Sequence, residues 1–385
     1  MFLNSIKDIK RNLKPNKYKK VFVLSGKKSF FSSGISGIIK KSLTTQKCFF
    51  YFKTSKIPEI SELKKIIIEI NKFEPDLILA VGGGTVLDYA KIANSFDNVE
   101  NLKSKIINSK YRVIKKRPLF AIPTTAGSGA EMTANAVIYI NKVKYSVEDS
   151  SLIPDFYTLV PEIIIGLNRK IKASSGFNAI AQSIESLLSK KSNSKSVYFA
   201  KKSLRISLSS YSNFIKKPST SNTYKMCLAA NFSGRAISIS KTTAPHALSY
   251  PFTSHFGIQH GHAVSLTFND FLKFNYRNLH LANTNFDLKE RYNFLFKLTR
   301  SKNINDLDHY ISNLLKNANL ETDLNKLKIN INKSIPKILT GVNLQRLSNN
   351  PVKLSVLDLK SILKNRNPVI IEVICDYNQE IIEPF

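Results

Sequence analysis

A chain of 385 residues that is 43% hydrophobic and 10% aromatic has enough apolar material for two cores. Its 58 Lys and Arg against 27 Asp and Glu give a net charge of +31. The lysines are spread among Asn, Ile and Ser, with no basic-aromatic stripe or recognition module, which argues against a nucleic-acid partner. No apolar run reaches the ~20 residues of a membrane helix, and the first residues carry charges where a signal peptide needs an apolar stretch. Cys48, Cys227 and Cys375 are too far apart for a disulfide framework or a CxxC metal pair. These features predict a soluble cytoplasmic protein with no membrane partner.

In chain order, residues 21–24, 48–52, 77–81 and 119–122 read as strands. Residues 58–73 carry helical periodicity at Leu63, Ile66, Ile67 and Ile70, with Pro58 suited to the first turn. Alternating strands and helices predict a parallel sheet covered on both faces. A hairpin is expected over residues 137–145. After Pro161 the β signals thin out, and residues 178–188, 196–208, 223–239, 291–298 and 355–363 have amphipathic helical patterns. The expected architecture is an α/β, Rossmann-like parallel-sheet domain over residues 1–161 followed by an all-α domain over residues 162–385, with Pro161 as a hinge.

Three segments carry chemistry. Residues 76–91, DLILAVGGGTVLDYAK, join an apolar strand to Gly82, Gly83 and Gly84 and to a helix start at Thr85. Glycines let backbone N–H groups approach a diphosphate, and the helix N-terminus favours the anion. Thr85 can cap that helix; a plain tight turn is the alternative. Residues 122–131, IPTTAGSGAE, follow the next strand with a hydroxyl- and glycine-rich loop suited to a nucleotide edge. Third, residues 246–262, HALSYPFTSHFGIQHGH, hold four of the six histidines in the chain. Imidazoles are common metal ligands and proton carriers near neutral pH, so the cluster marks a candidate reaction centre.

In this order and spacing, the three segments resemble the iron-containing alcohol dehydrogenase family over roughly residues 20–375. The resemblance implies an N-terminal domain that binds NAD(P), an all-helical C-terminal domain, dehydroquinate synthase-like architecture, and a metal in the cleft between them. It also implies a homodimer or larger assembly. Carried onto this chain, Gly82, Gly83, Gly84, Thr85 and Asp88 would face the diphosphate, with Thr124, Thr125 and Ser128 near ribose and base. Members that prefer NAD often carry an acidic residue after the first strand, where this chain has Gly26 followed by Lys27 and Lys28. Without that carboxylate, and with Lys27 or Lys28 to pair with a 2′-phosphate, NADPH is expected to be accepted alongside or ahead of NADH.

The family's metal has four ligands: an Asp and a His four residues apart on one helix, and two later His. His246 and His260 match the later pair, but Asn178 and Gln182 stand in place of the Asp and the first His. Neutral amide oxygens are weak ligands for Fe²⁺ or Zn²⁺. Since members without the metal exist, two schemes stay open: a weakly held divalent metal, or metal-independent catalysis. In the second, Tyr250 (where the family often has another His) or His262 would supply a hydrogen bond or proton to the developing alkoxide. For both residues, packing is the plain alternative.

Within the family, the surroundings of Asn178, Lys241 and His260 are most similar to the phosphonoacetaldehyde reductase group, which reduces 2-phosphonoacetaldehyde to 2-hydroxyethylphosphonate. Such a small anionic substrate needs cationic donors, and Arg235, Lys241, His255 and His262 lie on or near the late motif, with Lys144 a further possibility. For Arg235 and Lys241 a solvated helix face is the alternative. The rival readings are a general short-chain alcohol dehydrogenase, a dehydroquinate synthase-like enzyme, and a non-catalytic polyanion binder. The lost ligands count against the second, and two unexplained nucleotide loops count against the third.

Overall fold

The computed structural model describes residues 17–364, together with Phe2–Leu3, Ile9, Arg11 and Leu13. Residues 365–385, the end of the expected all-α domain, and with them Cys375, lie outside the described residues. The first half runs β1 (Phe2–Leu3), β2 (Lys20–Gly26), α1 (Lys27–Ser32), α2 (Ile35–Ser42), β3 (Lys47–Lys53) and α3 (Ile60–Phe73). It continues with β4 (Leu77–Gly82), α4 (Gly84–Ala93), α5 (Leu102–Ile107), β5 (Leu119–Pro123), β6 (Asn135–Ile140), β7 (Val143–Glu148) and β8 (Phe156–Thr158). Six strands pair in parallel in the order β1-β8-β5-β4-β2-β3, while β6 and β7 form a separate antiparallel hairpin.

Every residue of β4 is buried, as are the five central residues of β2. Unbroken apolar runs of this kind suit strands covered by helices on both faces. Leu63, Ile66, Ile67 and Ile70 of α3 are all fully buried, so the helical stripe there faces the core as its periodicity predicts. Pro58 departs from its expected place. Glu59 is the cap of α3, and Pro58 precedes it, its carbonyl accepting the N–H of Tyr139 at 2.6 Å. The proline therefore stitches the entry of α3 to the β6–β7 hairpin and takes no part in the first turn.

The topology creates a crevice. From β2 the chain goes to β3 on one side, then returns to β4 on the other side and on to β5. Connections leaving β2 and β4 diverge, and in a parallel sheet that divergence opens a ligand crevice at the carboxyl ends of the strands. Gly26 and the triple glycine both stand at this point.

After β8 the described chain is helical: α6 (Glu162–Ile165), α7 (Arg169–Leu188), α8 (Ser194–Lys216), α9 (Thr220–Ser240), α10 (Ala244–Phe256) and α11 (His260–Ser265). Then come α12 (Phe268–Arg277), α13 (Leu288–Thr299), α14 (Ile304–Asn317), α15 (Ile331–Thr340), α16 (Leu344–Leu347) and α17 (Val356–Lys364). The long helices begin earlier than their apolar patterns suggest, because Asn168, Asn193 and Ser219 cap them with side-chain oxygens. Small residues let α7, α8 and α9 pack closely, with Ser183 Oγ donating to Ser203 Oγ at 2.7 Å and Ser203 Oγ to the Ala229 carbonyl at 2.8 Å. Among the described residues, no helix is long and apolar enough to cross a membrane.

The approach of α11 to α7 is closest at Gly261, where a Cβ would lie 1.9 Å from the Ser174 carbonyl oxygen and 2.9 Å from Asn178 Cβ. Only glycine fits between these two backbones. Gly261→Ala is therefore expected to lower stability by about 1–3 kcal/mol, read as an earlier urea-unfolding midpoint; an unchanged midpoint would mean the two helices part freely.

Candidate active site

The two glycine loops lie against each other. A Cβ on Gly83 would be 3.4 Å from Thr125 Oγ1, and one on Gly84 would be 3.1 Å from Ser128 Oγ. Gly83, in extended conformation, is the residue that caps α4; Thr85 lies inside the first turn and does not act as the cap. The first N–H groups of α4 and the hydroxyls of Thr125 and Ser128 thus converge on one point, an arrangement suited to phosphate oxygens. Thr124 is buried beneath them and donates its N–H to the Gly82 carbonyl at 3.0 Å. Gly26 and the exposed Lys27 and Lys28 stand beside this point at the end of β2. Asp88 sits one turn deeper in α4. Burial pushes its carboxyl up to about 6, against the opposing pull of Lys91, the Val137 N–H and Lys144.

The second loop also touches the helical half. A Cβ on Gly127 would meet the Ser175 carbonyl oxygen at 2.6 Å, and one on Gly129 the Ala230 carbonyl oxygen at 2.3 Å. Asn178 Nδ2 donates to the Gly127 carbonyl and Gln182 Nε2 to the Ser128 carbonyl, each at 3.4 Å. The two amides that replace a carboxylate and an imidazole therefore anchor the loop.

Behind this loop the histidines assemble. His246 Nδ1 contacts the Glu185 carboxylate, which also accepts the Thr243 N–H at 2.9 Å and the Thr243 hydroxyl at 3.1 Å. His246 Nε2 lies 3.2 Å from Asn178 Oδ1. The His246 and His260 rings are 5.2 Å apart, and Tyr250 stacks on His260 at 5.6 Å with its plane tilted by 7°. Burial holds the His260 imidazole well below its usual pKa, and the His246 and Lys144 charges act in the same direction. Burial also pushes the Tyr250 phenol up to about 12; its hydroxyl faces Arg346 and Thr242.

The donor set does not fit the four-ligand metal site that the resemblance implies. Gln182 Oε1 is turned away to accept the Ser233 hydroxyl at 2.9 Å. What remains is two imidazoles and the Asn178 oxygen, with Glu185 standing behind His246 as its hydrogen-bond partner. Among the described residues, no group of three or more His, Cys, Asp or Glu is arranged to hold a metal ion. Fe²⁺ and Zn²⁺ are held tightly by thiolate, imidazole and carboxylate, and poorly by neutral amides.

Of the other expected residues, Lys241 reaches the cleft, pairing with Glu148 at 3.3 Å. Arg235 is engaged with Asn231 Oδ1 at 3.1 Å and the Tyr157 hydroxyl at 3.0 Å, on another side of α9. His255 ends α10 against Phe256, where burial and the Lys337 and Lys142 charges lower its pKa. His262 Nε2 donates to the Glu321 carbonyl at 2.6 Å, and its N–H goes to Ser174 Oγ at 3.0 Å, so its ring is tied to backbone. Glu185 and Arg346 were not among the expected site residues. A signal for Glu185 exists: seven residues after Asn178, it falls on the same helical face.

Residues 2–161 match the profile of the iron-containing alcohol dehydrogenases, and residues 172–366 that of the C-terminal part of the Fe-containing alcohol dehydrogenase family. The 4-hydroxybutyrate dehydrogenase of Clostridium kluyveri is 29% identical over 224 residues, 56% of this chain and 59% of that protein. The phosphonoacetaldehyde reductase of Streptomyces viridochromogenes is 28% identical over 224 residues, 54% of this chain and 55% of that protein. The chain thus spans a little over half the length of these two relatives. In fold, it is similar to the sulfoacetaldehyde reductase of Bifidobacterium kashiwanohense in complex with NAD⁺, with a TM-score of 0.82 and 23% identity over 95% of this chain and 96% of that one. It is equally similar in coverage to an archaeal halo-thermophilic alcohol dehydrogenase from a Red Sea brine pool, with a TM-score of 0.86 and 19% identity over 95% and 96% of the two chains.

Because Glu185 accepts every donor around it, an amide there would turn an N–H toward another donor. Glu185→Gln is expected to destabilise the protein by about 1–3 kcal/mol and to abolish the downfield imidazole N–H resonance of His246. A wild-type resonance in the variant would show that another group orients His246.

Proposed function

Because the chain belongs to the iron-containing alcohol dehydrogenase family, we propose that it is an NAD(P)H-dependent oxidoreductase that reduces a short anionic aldehyde, with 2-phosphonoacetaldehyde as first candidate and 2-hydroxyethylphosphonate as product. The observation that carries this reading is the double attachment of the second loop. It lies against Gly83 and Gly84 on one side and is hydrogen bonded to Asn178 and Gln182 on the other. A nucleotide held by the two loops would therefore present its nicotinamide to the histidine pair.

When bound, the reduced nicotinamide supplies a hydride to the aldehyde carbon. The C=O electron pair then moves to the oxygen, which must meet a donor or a cation. Tyr250, beside His260, is the proton donor in this reading, and its raised phenol pKa keeps it protonated at neutral pH. His262 fits the role less well, since its Nε2–H is engaged by Glu321. No step is assigned to a metal, given the donor set at Asn178 and Gln182.

Support for an anionic substrate comes from three relatives. By their names they act on 4-hydroxybutyrate, phosphonoacetaldehyde and sulfoacetaldehyde, each a short chain ending in an anion. A cytoplasmic location and a role in phosphonate biosynthesis belong to the same proposal. The test is oxidation of NADPH and of NADH with a panel of aldehydes. The expected result is a kcat/KM at least about tenfold higher for phosphonoacetaldehyde than for acetaldehyde, with NADPH used as well as or better than NADH. Equal rates on acetaldehyde favour the general short-chain alcohol dehydrogenase and overturn the phosphonate assignment. Strong preference for NADH overturns the role of Lys27 and Lys28. Salt-sensitive retention on nucleic acid with no turnover would favour a polyanion binder.

A further inference from the structure

We propose that Arg346, Lys241 and Lys144 form the receptor for the anionic end of the substrate, with Glu148 as the internal counter-ion that this anion displaces. The inference rests on the reduction of an anionic aldehyde proposed above and adds the residues that select it. Arg346 lies about a hundred residues beyond Lys241 in the chain, yet their side chains share one carboxylate. Arg346 Nη2 donates to Glu148 Oε1 at 2.7 Å, and Lys241 Nζ lies 3.3 Å from Glu148 Oε2.

Both cations are held by built contacts. Asn343 caps α16 by accepting the Arg346 N–H at 2.9 Å, and its own N–H donates to the Ala247 carbonyl at 3.3 Å. That carbonyl is free because Pro251, four residues later in α10, has no N–H to return. The proline next to Tyr250 thus docks the helix of Arg346 onto the helix of His246. Lys241 has a left-handed backbone, φ 62°, a conformation that a non-glycine residue keeps only under outside constraint. Asn349 Nδ2 supplies the constraint, donating to the carbonyls of Ser240 at 2.8 Å and Thr242 at 3.0 Å, on either side of Lys241.

Lys144, Ser146 and Glu148 alternate along β7 and share one face of the strand. Lys144 Nζ lies 3.8 Å from the centre of the Tyr250 ring, and among the described residues it makes no hydrogen bond or ion pair. Burial and the Arg346 charge hold its ammonium well below the usual lysine value. Arg346 and Lys241 are therefore the two cations paired with Glu148, and Lys144 stands beside them with Asp88 as the other carboxylate acting on it. A substrate anion entering in place of the Glu148 carboxylate would keep Arg346 and Lys241 paired, so the exchange leaves no buried charge without a partner. Arg346 presents the planar fork that binds phosphonate, sulfonate or carboxylate oxygens in pairs. Glu148, with its side chain 25% exposed, can leave toward solvent, whereas Arg346 at 5% cannot. The Tyr250 ring touches both Lys144 and His260, so the cations lie one ring away from the histidine pair, within the reach of a short chain.

The experiment uses the full-length protein and two readouts. In steady-state kinetics with NADPH, Arg346→Gln is expected to raise KM for phosphonoacetaldehyde on the order of 10- to 100-fold, with a smaller change in kcat. Glu148→Gln is expected to lower that KM. In thermal unfolding, methylphosphonate is expected to raise the Tm of wild type saturably, and Arg346→Gln and Lys241→Gln to lose that rise while Arg346→Lys keeps part of it. An unchanged KM in Arg346→Gln, or a methylphosphonate shift that survives in both neutral variants, overturns the receptor. Wild type that turns over neutral aldehydes equally well overturns the proposed substrate class instead, and the methylphosphonate shift then decides the receptor independently.

Discussion

The close approach of the loop at Gly127 and Gly129 to α7 and α9, with long hydrogen bonds from Asn178 and Gln182 beside it, joins the two halves at the cleft. Through them a helix of the second half grips the loop that follows β5, and that loop in turn lies against the triple glycine after β4. An amide can donate to a carbonyl; a carboxylate cannot. In the reading proposed above, Asn178 and Gln182 fix the loop that would face the nucleotide, at positions where the family pattern ligates a cation. The glycines at 127 and 129 make the exchange possible, because any side chain there would push the loop off α7 and α9.

Such an exchange would change how positive charge reaches the proposed reaction centre. A divalent ion concentrates charge at one point and lowers the pKa of what it binds. Here Lys241 and Arg346 pair with Glu148, and Lys144 lies on the Tyr250 ring that stacks on His260. Glu185 keeps His246 oriented from behind, as a carboxylate does for many functional imidazoles. The overall charge of +31 has little to do with this. Most lysines are solvated, whereas Lys144 and Arg346 are buried and Lys241 is half-buried.

Much of this arrangement was legible in the chain. The strands at β2 and β4 read as apolar runs because both faces of the sheet are covered, and the histidine segment stood out by its density. His246 and Tyr250, four apart, share a helical face, so their convergence followed from spacing. Spacing also explains which expected residues stand apart from this pair. His255 lies nine residues after His246, which turns it half a revolution around α10, and His262 lies two after His260, on the other side of α11. Arg346 carried no local signal at all. Its place depends on a carbonyl freed by Pro251 a hundred residues earlier, a tertiary contact that no periodicity reveals. Helix starts were missed for a simpler reason, since capping by Asn and Ser lies outside the apolar pattern.

The central claim is that Asn178 and Gln182 anchor a loop and do not ligate an ion. Metal analysis of the purified protein, paired with turnover before and after exhaustive chelation, tests it most directly. The account expects less than stoichiometric iron or zinc and undiminished turnover after chelation. Stoichiometric metal, with turnover lost on chelation and restored by Fe²⁺ or Zn²⁺, would contradict it.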